Sequence, residues 1–223
     1  MKHIALLTTL LLSASLQAVE KPYDYVFFEN SLMKGDYFYS QAKYTSPSWI
    51  KNARHHLPVA GSVAFTPGNS LELTYVSAPG GDWYSEIQYC PVRGNDFFRE
   101  PSTLSLQVQL RESMNAAALP NIAIRYADST YTQYLNLRNY LKDTRPGVWH
   151  SVSIPLKDFG LNAVNDTNIK KLAAVALRPG TADGNEYTIY LDDIELLPAS
   201  LPSVSTLNAP VLQEAKAYER HID

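Results

Sequence analysis

Two aspartates stand side by side in an otherwise apolar run, Tyr190-Leu-Asp-Asp-Ile-Glu-Leu196. Strand alternation does not call for two carboxylates in the middle of such a run, and an uncompensated buried carboxylate is costly. Asp192 and Asp193 must therefore be solvated, paired or bound to a cation. A second use of carboxylates is hydrolysis of a glycosidic bond, which needs two of them roughly 5–9.5 Å apart across a bound sugar. Adjacent residues of a regular strand point to opposite faces, so Asp192 and Asp193 do not make that pair. Glu86 and Glu112 fall in different strand-like runs, with no evident acid partner for either. His55 and His56 are also adjacent and diverge, with no third ligand nearby, and a solvated loop is the simpler reading. The chain has no Gly-x-Ser-x-Gly, no His-Glu-x-x-His and no phosphate-cradling loop. Catalysis is the least supported use of these residues.

A second constellation is polar and aromatic. If Leu106, Val108, Ile124, Leu135 and Leu137 point into a core, the period of two sends Gln107, Gln109, Arg125, Tyr134, Asn136 and Arg138 to the opposite face. Amide and guanidinium forks pair with hydroxyls, and a flat ring packs on the C–H face of a sugar, so this set suits a saccharide. It is equally the composition of a solvated sheet face. Loops near Trp49, Trp83 and Tyr84 offer an alternative position. Trp83 follows Gly80-Gly-Asp82 and either stacks on a sugar at a loop tip or, sharing the phase of Ile87, packs in the core. Trp149 opens its strand after Pro146-Gly147 and reads as a core plug.

The elements that must carry these residues are strands. Ser70-Leu-Glu-Leu-Thr-Tyr-Val76 alternates, with Leu71, Leu73 and Tyr75 inward; Trp83 to Tyr89 places Ile87 inward and Glu86 and Gln88 outward. Further strands are expected at Asp24–Phe28, around Leu104–Leu110, Ile122–Ile124 and Leu135–Leu137, and at Val148–Leu156, Ala173–Leu177 and Tyr187–Leu197. Pro67-Gly-Asn, Pro79-Gly-Gly-Asp, Pro146-Gly, Pro179-Gly and Asp183-Gly-Asn supply the turns. Only Asn165–Lys171 reads as a helical turn, capped by Asn165 or Asp166. Many short strands between turns predict an all-β, two-sheet sandwich.

Composition narrows the function classes. A formal net charge of −3 with no Lys/Arg cluster argues against a nucleic-acid partner. Cys90 is the sole cysteine, so no internal disulfide forms, and its place after Ile87 and Tyr89 suits a buried thiol. The 15 tyrosines suit sugar faces and strand packing alike. Lys2 and His3, the apolar run Ile4–Leu12 and the small residues to Ala18 predict a signal peptide over 1–18, and hence a periplasmic or extracellular protein. The run is shorter than the roughly 20 residues of a membrane span, so no span is expected. The domain is expected over 22–198. Ala199–Pro210, rich in Ser, Pro and Ala, reads as a linker, and 211–223 as either the start of a following domain or a tail.

Trp149-His-Ser-Val-Ser-Ile-Pro-Leu-Lys-Asp-Phe159, the later Tyr190–Leu196 run and the early Phe27-Phe-Glu-Asn30 together resemble galactose-binding-like jelly-roll sandwiches. That family includes carbohydrate-binding modules at the N-terminus of secreted glycoside hydrolases, glycoamylase-like enzymes among them. The resemblance implies a polysaccharide or oligosaccharide partner, a glycan groove on one sheet face, and downstream fibronectin-like and catalytic domains. It also implies that first and last strands lie side by side, with a structural calcium ion held by Glu29 and Asp192. Asp193, Asp36 and carbonyls near Lys34 and Gly35 are lesser candidates; the other reading is solvated edge aspartates with Glu29 in a salt bridge. Three functions stay open: a non-catalytic carbohydrate-binding module, a structural domain packed on a catalytic one, and a small exported glycan-active enzyme.

Overall fold

The computed structural model describes residues 26–89, 101–161 and 171–198. The expected signal peptide, Cys90, most of the Asn165–Lys171 turn, the linker and the C-terminal segment lie outside these residues. Among the described residues twelve strands follow in order: β1 (Val26–Phe28), β2 (Ser40–Thr45), β3 (Trp49–Ile50), β4 (Val59–Ala60), β5 (Ser70–Val76), β6 (Asp82–Gln88), β7 (Pro101–Leu110), β8 (Asn121–Tyr126), β9 (Leu135–Asn136), β10 (Trp149–Pro155), β11 (Leu172–Arg178) and β12 (Glu186–Pro198). They form two antiparallel sheets. The seven-stranded sheet runs β10-β7-β12-β5-β3, with β1 on β12 and β4 on β5; the five-stranded sheet runs β2-β6-β11-β8-β9.

The core lies between the sheets and follows the alternation of the strands. Leu104, Leu106, Val108 and Leu110 of β7, Leu71, Leu73 and Tyr75 of β5, and Val152 and Ile154 of β10 face Trp83 and Ile87 of β6, Ile122 and Ile124 of β8, and Val175 and Leu177 of β11; all are buried. Each large aliphatic side chain so buried contributes about 1.5–3 kcal/mol. Buried rings place their polar tips on acceptors: the Tyr75 hydroxyl donates to the Ala118 carbonyl at 3.0 Å, Tyr37 to Phe27 at 2.7 Å, and Trp83 Nε1 to Ser77 Oγ at 2.9 Å.

The Asp192–Asp193 pair marks a change of phase. Before it, Ile189 and Leu191 are buried; after it, Ile194 and Leu196 are. Odd positions thus give way to even ones within one strand. The register against β7 moves three residues on β12, Asp192 to Glu195, for two on β7, Gln107 to Ser105. One extra residue is inserted, and Asp193 takes it up at φ 44°. The pair is a β-bulge that lets both halves of a long strand bury their apolar side chains.

The candidate binding face of the five-stranded sheet

The outward positions of the five-stranded sheet are set by register. Tyr84 lies opposite Lys43, and Glu86 lies between Gln41 of β2 and Ala176 of β11. Ala176 and Ala174 lie in turn opposite Ala123 and Arg125 of β8. Ala123, Ala174 and Ala176 are buried although they point away from the core, because larger side chains close over them. The surface there is therefore made by their polar and aromatic neighbours.

The β8–β9 connection supplies the rings. Tyr126 N–H donates to the Thr130 carbonyl, Ser129 turns the chain at φ 69°, and Tyr131 returns to bridge Arg125. Asp128 holds the turn by accepting from Thr130. Thr132 points inward and accepts the Ile124 N–H on its hydroxyl. Tyr131 and Tyr134 are left on the outer side, rings stacked 6.0 Å apart at 28°.

Two polar clusters hold these rings. The Tyr131 hydroxyl donates to Glu86 Oε1 at 2.7 Å. Arg125 Nε lies 3.1 Å from the same oxygen, within ion-pair reach although its N–H is not aimed along the contact. Glu86 is only 5% exposed, so its charge depends on these partners. In the second cluster Arg178 Nε donates to the Tyr134 hydroxyl at 3.1 Å, its guanidinium sits 5.6 Å from that ring's centre, and Nη1 reaches Asp82 Oδ2 at 3.3 Å. On the far side the Tyr84 hydroxyl donates to Gln41, and Lys43 lies over the Tyr84 ring. Burial, and then the Glu86 carboxylate, push the Tyr131 phenol up to about 12, so it stays a donor at neutral pH. Rings on one side and charged forks at fixed positions can receive a saccharide: rings take C–H faces, forks take hydroxyls.

The residues expected from sequence divide between the two sheets. Arg125, Tyr134, Asn136 and Tyr84 come to the five-stranded sheet. Asn136 spends its amide on Leu119 and Asn121 at the sheet's edge. Arg138 leaves the pattern, because Asn136 caps a short 3-10 helix, Leu137–Asn139, which ends the alternation. Gln107 and Gln109 belong to the outer face of the seven-stranded sheet, bonded to Ser151 and to the Gly147 carbonyl, so the six residues do not make one surface. Trp83 is 1% exposed and belongs to the core, not to a loop-tip platform. Trp149 is not a core plug: it shares the outward phase of Ser151 and Ser153. Sequence reasoning missed Tyr131, Arg178, Asp82 and Gln41. The signal for Tyr131 was the Asp128–Ser129 turn, which brings a strand back beside β8.

Of the carboxylates expected at calcium, Asp192, Asp193 and Asp36 have protein partners. Asp192 is fully buried and its Oδ2 accepts the N–H groups of Phe65 and Thr66 at 2.8 and 3.1 Å, while Oδ1 accepts from Asp193. Asp193 Oδ2 accepts from the Thr66 hydroxyl. Glu29 follows β1, which pairs with β12 as expected for first and last strands. Asp36 forms a bidentate pair with Arg54. Among the described residues no group of three or more His, Cys, Asp or Glu is placed to hold a metal ion. The Asp192 oxygens face N–H donors, so the aspartate pair reads as a loop anchor.

Nor do the carboxylates make a hydrolytic pair. Asp82 and Glu86 share the candidate face but stand four residues apart on one strand, about 13 Å at 3.3–3.4 Å per residue, beyond the reach of such a pair. Glu112 Oε1 accepts the Thr188 N–H. Among the described residues no helix is long and apolar enough to cross a membrane.

Comparison with known proteins agrees with this architecture. Residues 24–197 match the family model of carbohydrate binding domain 30. The chain is 98% identical over all its 223 residues to an exo beta-1,2-glucooligosaccharide sophorohydrolase (non-reducing end) of Parabacteroides distasonis, and spans 31% of that protein's length. A crystal structure of a beta-1,2-glucanase from Parabacteroides distasonis superposes with a TM-score of 0.80 at 97% identity, covering 85% of this chain and 27% of that one. The family 30 carbohydrate-binding module of a Clostridium thermocellum cellulosomal cellulase shares the fold at 18% identity, with a TM-score of 0.58 over 80% of this chain and 99% of its own. With a sandwich of this topology, a polar and aromatic outer face and a family match across nearly all described residues, the chain belongs to the carbohydrate binding domain 30 family and is a non-catalytic carbohydrate-binding module.

Proposed function

We propose that the outer face of the five-stranded sheet binds a β-linked gluco-oligosaccharide, with β-1,2 linkages preferred, and that the module holds a longer, exported glucan-active protein on that glucan. One observation carries the reading: Tyr131 and Tyr134 stand stacked on the outer face, each tied by its hydroxyl to a charged side chain of the sheet. Such ties fix ring and fork before ligand arrives, which lowers the ordering cost of binding. The β-1,2 preference follows from the activity named for the 98% identical relative. Export follows from the charged start, short apolar run and Ala18.

The test is isothermal titration with β-1,2-gluco-oligosaccharides, alongside β-1,3-, β-1,4- and α-1,4-linked ones of similar length. Binding of the first series with at least tenfold loss in Tyr134→Ala is expected, at unchanged stability within about 0.5–1 kcal/mol for a half-buried surface ring. Absence of binding to every glucan would leave a packing domain as the better reading. Mass spectrometry of the mature protein should find no peptide from residues 1–18.

A further inference from the structure

The face described so far is one side of the sandwich, and the other side carries rings of its own. On the outer face of the seven-stranded sheet, Trp149 of β10 lies opposite Gln109 of β7, and Gln109 lies opposite Tyr190 of β12. All three are half-buried, and Gln109 and Tyr190 alternate with buried neighbours, Val108 and Leu110 on β7 and Ile189 and Leu191 on β12. Adjacent strands are about 4.8 Å apart, so the two rings stand about 10 Å apart with an amide between them. Gln107 follows in the next row, beside Ser151.

Phe65 completes the face. Its ring is 45% exposed and meets Trp149 at 6.0 Å and 67°. Its loop is not loosely attached, because the buried Asp192 carboxylate accepts the N–H groups of both Phe65 and Thr66. A buried carboxyl group therefore fixes the backbone of a residue whose ring stands in water. Trp149, Gln109, Tyr190, Phe65, Gln107 and Ser151 are all uncharged. Rings separated by amides match a neutral polyhydroxylated chain, which presents C–H faces and hydroxyl edges in turn. The charges nearest them, Glu72 opposite Tyr190 and Lys51, are spent on each other at 2.6 Å.

We propose that this face is a second saccharide-binding surface, taking a neutral gluco-oligosaccharide across Trp149, Gln109 and Tyr190, on the side of the sandwich opposite Tyr131 and Tyr134. The proposal rests on the reading of the chain as a glucan binder. It adds that one module grips two glucan segments at once, so that attachment to a polymer exceeds the affinity of either face.

The full chain is titrated with β-1,2-gluco-oligosaccharides and, separately, cello-oligosaccharides, by calorimetry and by tryptophan fluorescence. Trp83 is buried in the core and Trp49 is half-buried on β3, so the part of the response that Trp149→Ala removes reports on Trp149. Two sites are expected in the wild type. The Tyr131→Ala/Tyr134→Ala variant should keep one site with its fluorescence change, and adding Gln109→Ala or Trp149→Ala should weaken that site at least tenfold. Gln109→Ala removes no buried group, so near-ultraviolet circular dichroism should confirm an unchanged fold. A single wild-type site lost with the two tyrosines would overturn the proposal and leave the first face standing. Binding by neither face would overturn both readings. Residual binding indifferent to Gln109→Ala and Trp149→Ala would also overturn it, as would a Trp149 that answers to no sugar but whose loss loosens the module from the rest of the longer polypeptide.

Discussion

Removing the Glu86 carboxylate tests whether the rings of the five-stranded face are held or merely adjacent. Glu86 is 5% exposed, and the Arg125 side chain beside it 15%. Glu86→Ala leaves that guanidinium poorly solvated without its counter-charge and strands the Tyr131 hydroxyl. Breaking a buried ion pair from one side costs about 3–5 kcal/mol. Arg125 keeps some solvent and donates through Nη1 to the Tyr126 carbonyl, so we expect less, about 2–3 kcal/mol. Glu86→Gln also removes the counter-charge but retains an acceptor for Tyr131, so it should cost less, about 1–2 kcal/mol. Urea unfolding gives both values, with the m-value confirming that the unfolded state is unchanged. Gluco-oligosaccharide affinity should fall in Glu86→Ala because Tyr131 loses its fixed position, and should fall less in Glu86→Gln. A loss of under 0.5 kcal/mol in Glu86→Ala, or equal affinities in the two variants, would refute the claim that this cluster positions the ring.

Three further outcomes follow from other parts of the fold. Burial, and then the charge of Asp193, push the Asp192 carboxyl up to about 7 from its ordinary 3.8, so the folded state holds this proton more tightly than the unfolded one; its contribution is full below pH 4 and is lost as pH rises through 7. The stability difference between wild type and Asp192→Asn should therefore move against the wild type across that window, and a flat difference in urea titrations would show that the N–H donors keep Asp192 ionised throughout. Gly81→Ala should cost more than about 2 kcal/mol, since a Cβ there would lie 2.2 Å from the Ser48 nitrogen; thermal unfolding showing a shift under 2 °C would contradict the close approach. Calcium and chelator should leave the melting temperature unchanged, and a chelator-induced drop would place a cation at Glu29, Asp192 and Asp193 after all.

The strands were legible because their burial is one-sided. Leu71, Leu73 and Tyr75, or Leu104 to Leu110, announce a period of two that only a half-buried strand satisfies. β3 and β4 escaped notice because two residues cannot show a period, and β2 because its end is exposed: Lys43, Tyr44 and Thr45 all face solvent. Face membership was legible strand by strand, but sheet membership was not. Gln107 and Arg125 each point away from a core, and no local signal says that β7 and β8 lie on opposite sides of it. That depends on β12 and β11, distant in sequence, inserting beside them.

The aspartate pair shows the same limit. Two carboxylates in a strand were correctly read as needing partners, and cation binding was the reading drawn from family resemblance. The partner the fold supplies is the backbone of residues 65 and 66, more than 120 positions away in sequence. Backbone N–H groups belong to every residue but proline, so they leave no trace in composition, whereas a metal site would draw on a few recognisable side chains. A carboxylate whose partner is backbone therefore looks unpartnered until the loop that meets it is placed. What the sequence did hold was the phase change: Ile189 and Leu191 before the pair, Ile194 and Leu196 after it. Odd-to-even switching across two adjacent polar residues requires an inserted residue if both halves are to stay buried, and a bulge exposes N–H groups and bends the strand. Read that way, Asp192 and Asp193 point to a place where a loop is pinned to a sheet. On this chain the pinned loop carries Phe65 out beside Trp149, so a device that repairs strand alternation also presents rings on the outer face.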